Sequence, residues 1–173
     1  RGQAGRLAFA PARGPDAGVR LLGDSPTLTS GRAATGVSFL GTVDLSAGID
    51  LPAHATLRLR VDDTTSDPMD LTGDTPTHLT LIGLAIAVNA ALGATVARPD
   101  GAFLRLTTRT AGSGSRLEFL APGAGQDVTA AIFGVGAGRQ YHGADATPPR
   151  LVGAVDLGQG ADLPPGATLA LAV

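Results

Sequence analysis

Five carboxylates, Asp62, Asp63, Asp67, Asp70 and Asp74, crowd one short stretch of the 173-residue chain and form its densest set of groups able to do chemistry. Calcium is held by roughly six to eight oxygen ligands, mostly carboxylates and carbonyls, so these five are the candidate calcium ligands. Their spacing matches neither the EF-hand loop nor the glycine-rich nonapeptide of calcium-binding β-helices, and the competing expectation is a solvated Asp-rich turn. Gly112-Ser113-Gly114-Ser115 places serine among glycines but lacks G-x-S-x-G spacing. It also joins two predicted strands, where a nucleophile elbow leads from a strand into a helix, so a turn is expected. The only Glu, Glu118, alternates outward between Leu117 and Phe119, away from any cleft where an acid and base pair would work. His54, His78 and His142 are too scattered for a sequence-local metal motif. The expectation is no catalytic residue, no cofactor site, and no metal beyond the calcium candidates.

What the sequence does display is an internal copy. Arg150 to Pro164 is a second version of Ser38 to Pro52, and at that 112-residue offset Gly31–Val61 aligns without a gap onto Gly143–Val173, with about half the positions identical. The pairs include Val43/Val155, Asp44/Asp156, Leu45/Leu157, Gly48/Gly160, Leu51/Leu163, Leu57/Leu169, Leu59/Leu171 and Val61/Val173. Neither His54, which becomes Gly166, nor His142, which corresponds to Ser30, is retained between copies. More faintly, Arg6-Leu7-Ala8-Phe9 echoes Arg116-Leu117-Glu118-Phe119, and Leu22-Gly23 echoes Phe133-Gly134. A fixed period is the signature of a tandem array. On this reading residues 1–30 are the C-terminal part of a preceding module, 31–142 one complete repeat module, and 143–173 the N-terminal part of a following one, the whole being a window of a longer polypeptide.

Composition narrows the function classes. Positive charge comes from 13 Arg and no Lys, against 14 Asp and one Glu, for a net charge of -2. Such a balance exerts no long-range pull on nucleic acid or anionic lipid. With no Cys there are no disulfides or thiolate metal sites, and with no Lys there are no lysine–asparagine isopeptide cross-links, so strength must come from burial and hydrogen bonds. Aromatic residues are 3% of the chain, with no Trp, which leaves little for the stacking platforms of carbohydrate and single-stranded nucleic-acid sites. The longest apolar run, Leu79 to Leu92, falls short of the roughly 20 residues a membrane helix needs, so no membrane span is expected.

Thr56-Leu57-Arg58-Leu59-Arg60-Val61 alternates strictly and predicts a strand with Leu57, Leu59 and Val61 inward and both arginines outward. Asp62 to Pro76 reads as a loop. Thr80 is placed to cap a helix that Gly93 ends, with Ile82, Ala85, Ile86, Asn89 and Leu92 as its packed stripe. A hairpin follows, from Ala94–Arg98 through a Pro99-Asp100-Gly101 turn to Phe103–Thr107, then a strand over Arg116–Leu120, a short helix over Asp127–Phe133, and a loop over Val135–Gly143 that carries Tyr141. Asn89, the one polar residue on the helix stripe, is expected to satisfy nearby backbone groups. The fold class is β-rich α+β: a tandem repeat module of antiparallel strands with one packed helix.

The run Ala85-Ile86-Ala87-Val88-Asn89-Ala90-Ala91-Leu92-Gly93, with Asp100-Gly101, Leu104-Arg105-Leu106-Thr107-Thr108, Gly112 and Ser115-Arg116-Leu117-Glu118-Phe119, resembles the "IN" motif of bacterial flagellar hook-associated and filament-cap proteins. Similar modules look to occur in tail and fibre proteins of phages and phage-like particles. The match covers about a third of the module, with Val88 in place of the usual Ile. The resemblance implies an extracellular structural insert without catalytic residues. The functional expectation is therefore a non-enzymatic repeat module of a long extracellular fibre, surface filament or tail-like appendage, on a cell surface or virion. Its partners would be neighbouring copies of the same module or chain, and a surface receptor. The alternative is a receptor- or calcium-binding adhesion module on a surface protein.

Overall fold

The structure of the protein, a computed structural model, describes residues 27–152. In chain order its elements are β1 (Thr27–Thr29), β2 (Ser38–Leu40), β3 (Ile49–Leu51), β4 (Ala55–Leu57), β5 (Leu59–Val61), β6 (Thr64–Thr65), β7 (Met69–Asp70), β8 (Thr77–Leu79), α1 (Leu81–Leu92), β9 (Ala97–Asp100), β10 (Phe103–Thr107), β11 (Arg116–Phe119), β12 (Gln126–Asp127), α2 (Thr129–Phe133), β13 (Gln140–His142) and β14 (Arg150–Val152). They fall into two compact units. The larger is Ala33–Ala146. The described residues of the smaller are Thr27–Arg32 and Thr147–Val152, where β1 pairs antiparallel with β14, Thr29 opposite Arg150 and Thr27 opposite Val152. The expected strand running to Val173 lies outside the described residues.

The larger unit is β-rich α+β, built from short sheets ordered β2-β10-β9, β13-β11-β5-β6, β12-β4-β7 and β3-β8. The expected single strand Thr56–Val61 is broken at Arg58 into β4 and β5, which belong to different sheets. Leu57 and Leu59 are fully buried and Val61 nearly so, as expected, but Thr56 is buried too, and Arg58 and Arg60 are half-buried where a wet face was expected. The neighbouring β11 presents the same parity, with Leu117 opposite Val61 and Phe119 opposite Leu59, so four apolar side chains meet on the inner face. Each such burial is worth about 1.5–3 kcal/mol. Glu118 lies opposite Arg60 on the outer face, a favourable cross-strand pair.

Both ends of α1 are as expected from the sequence. The Thr80 hydroxyl accepts from Gly83 N–H at 3.1 Å, and Gly93 closes the helix in the left-handed conformation at φ 60°. Its buried face is different. Leu84, Ala85, Val88 and Leu92 point inward, whereas Ile82 and Ile86, expected on the packed stripe, are 64% and 63% exposed. The helix is apolar almost all round, so periodicity could not fix its rotation; contacts with β9 and β10 did.

Other expectations are corrected in the same way. The Asp62–Pro76 stretch is not a plain loop, because β6 pairs with β5 and β7 with β4. Val135–Gly143 contains β13, which pairs with β11. Pro99 sits within β9, opposite Leu104, on the outer strand of its sheet, where proline costs no ladder bond, and Gly101 alone takes the positive φ of the turn. The short helix expected over Asp127–Phe133 begins only at Thr129, because Asp127 belongs to β12; as α2 it packs a second helix against the core, burying Thr129, Ile132 and Phe133 and ending at Gly134 with φ 74°. One pairing, β4 with β12, is parallel. Residues too short to declare a period, such as Met69-Asp70, become strands only because a partner lies alongside.

Four rings, Phe39, Phe119, Phe133 and Tyr141, meet at the centre. Phe119 lies 5.1 Å from Phe39, 5.0 Å from Phe133 and 6.3 Å from Tyr141, centroid to centroid. Tyr141 is thus a half-buried strand residue in the aromatic cluster, not a loop aromatic.

Gly48 and His54 both hold positive φ, 78° and 55°, and at the 112-residue offset both positions are glycine, Gly160 and Gly166. A Cβ on Gly48 would stand 2.7 Å from the Leu79 carbonyl oxygen, so glycine is required for space as well as for φ. Replacing Gly48 with Ala is expected to cost about 2–3 kcal/mol, the left-handed penalty plus backbone displacement. His54→Gly should stay within about 1 kcal/mol of wild type, since relief of the left-handed penalty offsets glycine's greater unfolded-state entropy. Urea unfolding of both variants checks the pair; equal losses would refute the conformational argument.

Candidate functional site

The five aspartates expected to share a calcium site are dispersed. Among the described residues, no group of three or more His, Cys, Asp or Glu side chains is arranged to hold a metal ion. β6 and β7 split the segment: Asp62 turns toward the loop before β11, and Asp70 and Asp74 face His54.

Asp62 is the most engaged of them. It carries φ 52°, a conformation Asp tolerates better than most residues. Its carboxylate accepts from Arg109 N–H at 2.9 Å, Thr110 N–H at 3.3 Å, Thr110 Oγ1 at 2.6 Å and Arg116 N–H at 3.4 Å. Partial burial pushes the carboxyl pKa up, but the Thr110 hydroxyl and the three backbone donors outweigh it and hold the group below the ordinary carboxylate value. The group acts as a clamp that fastens the segment after β10 to the end of β5. Beside it lies an open depression of about 300 Å³ lined by Asp62, Asp63, Leu92, Val96, Arg109 and Thr110. Nothing in the sequence announces this clamp, because its partners lie 47, 48 and 54 residues away.

Asp70 works locally. Its carboxylate accepts from Gly73 N–H at 2.8 Å and Thr72 N–H at 3.1 Å, and these bonds, with His54 Nδ1 3.5 Å away, hold its pKa below the ordinary value. Asp145 does the same for the Gly112–Ser115 turn, accepting from Ser113 N–H at 2.6 Å, with its pKa lowered by that bond. Ser113 therefore sits in a turn held by a carboxylate, with no histidine beside it.

The histidines stand apart. His54 lies near Asp70 and Asp74, and His78 Nδ1 is 2.8 Å from Asp50. With its amide oxygen turned toward them, Gln140 accepts from Arg116 Nε at 2.7 Å and Nη2 at 2.8 Å, and from His142 Nε2 at 3.1 Å. Glu118 completes this row with Arg116 Nη2 at 2.6 Å, a polar ladder across β11 and β13. Asn89 donates from Nδ2 to the Ala97 carbonyl at 2.9 Å and accepts at Oδ1 from both Val96 and Ala97 N–H at 2.8 Å, meeting the expectation for a polar residue on a packed helix.

Among the described residues no helix is long and apolar enough to cross a membrane. No protein-family model matches the chain, and no curated protein matches it in sequence.

The lowered carboxyl pKa values fix the sign of an acid response. A group whose folded pKa lies below its unfolded value contributes stability above the unfolded value and loses it as pH falls through the folded one. Melting temperature should therefore drop as pH falls below about 4, where unfolded carboxylates begin to protonate. Asp62→Asn should lose about 1 kcal/mol at neutral pH, because its NH₂ now meets backbone donors. Its melting curve should also fall less steeply with acid. Wild-type and variant melts from pH 7 to pH 2 that run parallel would remove Asp62 from the account.

Proposed function

We propose that the chain is a piece of a non-enzymatic structural protein, a tandem array of β-rich modules forming an extracellular fibre, surface filament or tail-like appendage. One observation carries this reading. Between Ser38 and Val61 the buried residues are Gly41, Leu45, Leu51, Ala55, Thr56, Leu57, Leu59 and Val61, and all eight recur unchanged 112 residues later, as Gly153, Leu157, Leu163, Ala167, Thr168, Leu169, Leu171 and Val173. Eleven of the sixteen residues that are not buried differ, including Arg58/Ala170 and Arg60/Ala172. Of the exposed polar side chains in this stretch only Asp44 and Asp50 recur, as Asp156 and Asp162, and just before it the buried Val37 becomes Pro149; the set that recurs most fully is the one that packs a core. Support also comes from the side chains best suited to chemistry, since Asn89, Asp62, Asp70 and Asp145 are occupied with backbone N–H and C=O groups.

The intact polypeptide supplies the test. Its coding sequence should hold further copies near the 112-residue period, and electron micrographs of the purified protein should show a filament with regularly repeated density. A solitary globule, or a gene without additional copies, sinks the array.

A further inference from the structure

Arg32 N–H donates to the Thr147 carbonyl at 2.8 Å, and Thr147 N–H returns a bond to the Arg32 carbonyl at 2.9 Å. Thr35 and Ala144 exchange the same two bonds, at 2.8 and 3.0 Å. Both pairs are antiparallel and lie within one chain. Both join the opening of one repeat, residues 31–36, to the opening of the next, residues 143–148. The glycines match as well: a Cβ on Gly31 would stand 2.8 Å from the Thr147 carbonyl oxygen, and one on Gly143 would stand 2.3 Å from the Thr35 carbonyl oxygen. At the 112-residue offset Arg32 corresponds to Ala144, Thr35 to Thr147 and Gly31 to Gly143. Each opening therefore presents to the other the same two bonding positions and the same glycine.

A contact in which two copies offer each other the same groups is complete with two members and does not propagate. A third opening, 112 residues after the second, would need the N–H groups of Thr147 and Ala144. Those already donate to Arg32 and Thr35. We infer that the openings pair in twos along the polypeptide, so that the structural unit of the array is two repeats: one junction is closed by this contact and the next lacks it. The inference rests on the repeat reading above and names the partner of each opening within it. Two asymmetries choose the partner. Asp145 in the second opening accepts from Ser113 N–H at 2.6 Å, which ties that opening back to the repeat before it, whereas Ala33 in the first opening has no side-chain acceptor to do so. Just after the first opening, Val37 is buried and its N–H donates to Thr108 Oγ1 at 2.8 Å, which binds that opening to its own repeat. The matching Pro149 has no N–H and cannot repeat that bond.

Cysteine pairs placed in the intact polypeptide test the pairing, and the chain described here contributes no competing thiol. Hydrogen-bonded antiparallel residues have Cα atoms about 5.5 Å apart, within disulfide reach. Arg32, Ala144 and Thr147 are exposed, so cysteine at these positions leaves the core untouched. On mild oxidation Arg32→Cys/Thr147→Cys should close nearly completely. The equivalent pair one junction on joins Ala144→Cys to a cysteine 112 residues after Thr147. It should close about tenfold less, because the hydrogen bond to the charged Asp145 favours the first junction. Asp145→Ala should narrow that difference. Equal closure at both junctions, or a ratio that Asp145→Ala leaves unchanged, overturns the inference while the repeat reading stands. Failure of both pairs to close would remove the contact itself, and a coding sequence without a third opening would overturn the repeat reading and this inference together.

Discussion

Phe119→Ala should remove about 3–5 kcal/mol of stability, the range for truncating a buried phenylalanine where the surroundings cannot collapse. Phe119 is fully buried on β11, flanked by Phe39, Phe133 and Tyr141, so the ring's loss opens a cavity that three elements share. Typical domains are stable by about 5–15 kcal/mol, and the variant should therefore unfold at a much lower urea concentration. Phe119→Leu keeps most of the volume and should cost less than half as much, and Tyr141→Phe, at a half-buried rim position, should change little. A Phe119→Ala loss below about 1 kcal/mol, small for a large-to-small core change, would mean that the aromatic cluster does not hold the sheets together.

Asn89→Ala should cost about 2–4 kcal/mol, more than its few lost atoms would suggest. Its amide oxygen takes the N–H groups of both Val96 and Ala97 and its nitrogen serves the Ala97 carbonyl. Truncation leaves these backbone groups unsatisfied next to the core, and each carries a desolvation penalty of about 1–3 kcal/mol when water cannot replace the partner. Hydrogen exchange separates this cause from general loosening. The Val96 and Ala97 amides should lose protection well before those of β5 and β11. Uniform loss across the unit, or no loss at these two amides, would refute Asn89 as the link between α1 and β9. Asn89→Asp keeps the acceptor but places a charge there and removes the donor, so it should recover only part of the stability.

Features written in local chemistry were legible before the fold was. The Thr80 cap, the Gly93 and Gly134 termini, the alternation of Leu57, Leu59 and Val61, and the role of Asn89 each depend on a residue's own conformational preference or on neighbours within one turn or one strand. The rotation of α1 was not legible, because a helix with Ile82, Leu84, Ile86 and Val88 offers apolar residues on every side. Its buried face is the one that meets β9 and β10. The strands β6, β7 and β13 were missed for a related reason: each spans two or three residues, too few to show a period, and is defined by a partner found elsewhere in the chain. The acidic stretch was legible as composition but not as geometry. Whether five carboxylates converge depends on which of them β6 and β7 carry away.

By itself the sequence determined the period, the β-rich class, both ends of α1 and the inward positions of Leu57, Leu59 and Val61, since each follows from side-chain type and short-range spacing. Only the tertiary structure decided that Asp62 is a clamp and not one member of a cation cage, that Ile82 and Ile86 face outward, and that Thr35 and Ala144 meet. The Asp62 clamp joins residues 47 to 54 positions apart and the Thr35–Ala144 pair residues 109 apart (144 − 35), and the rotation of α1 was fixed by β9 and β10; such contacts are set by how elements pack, which no local pattern encodes.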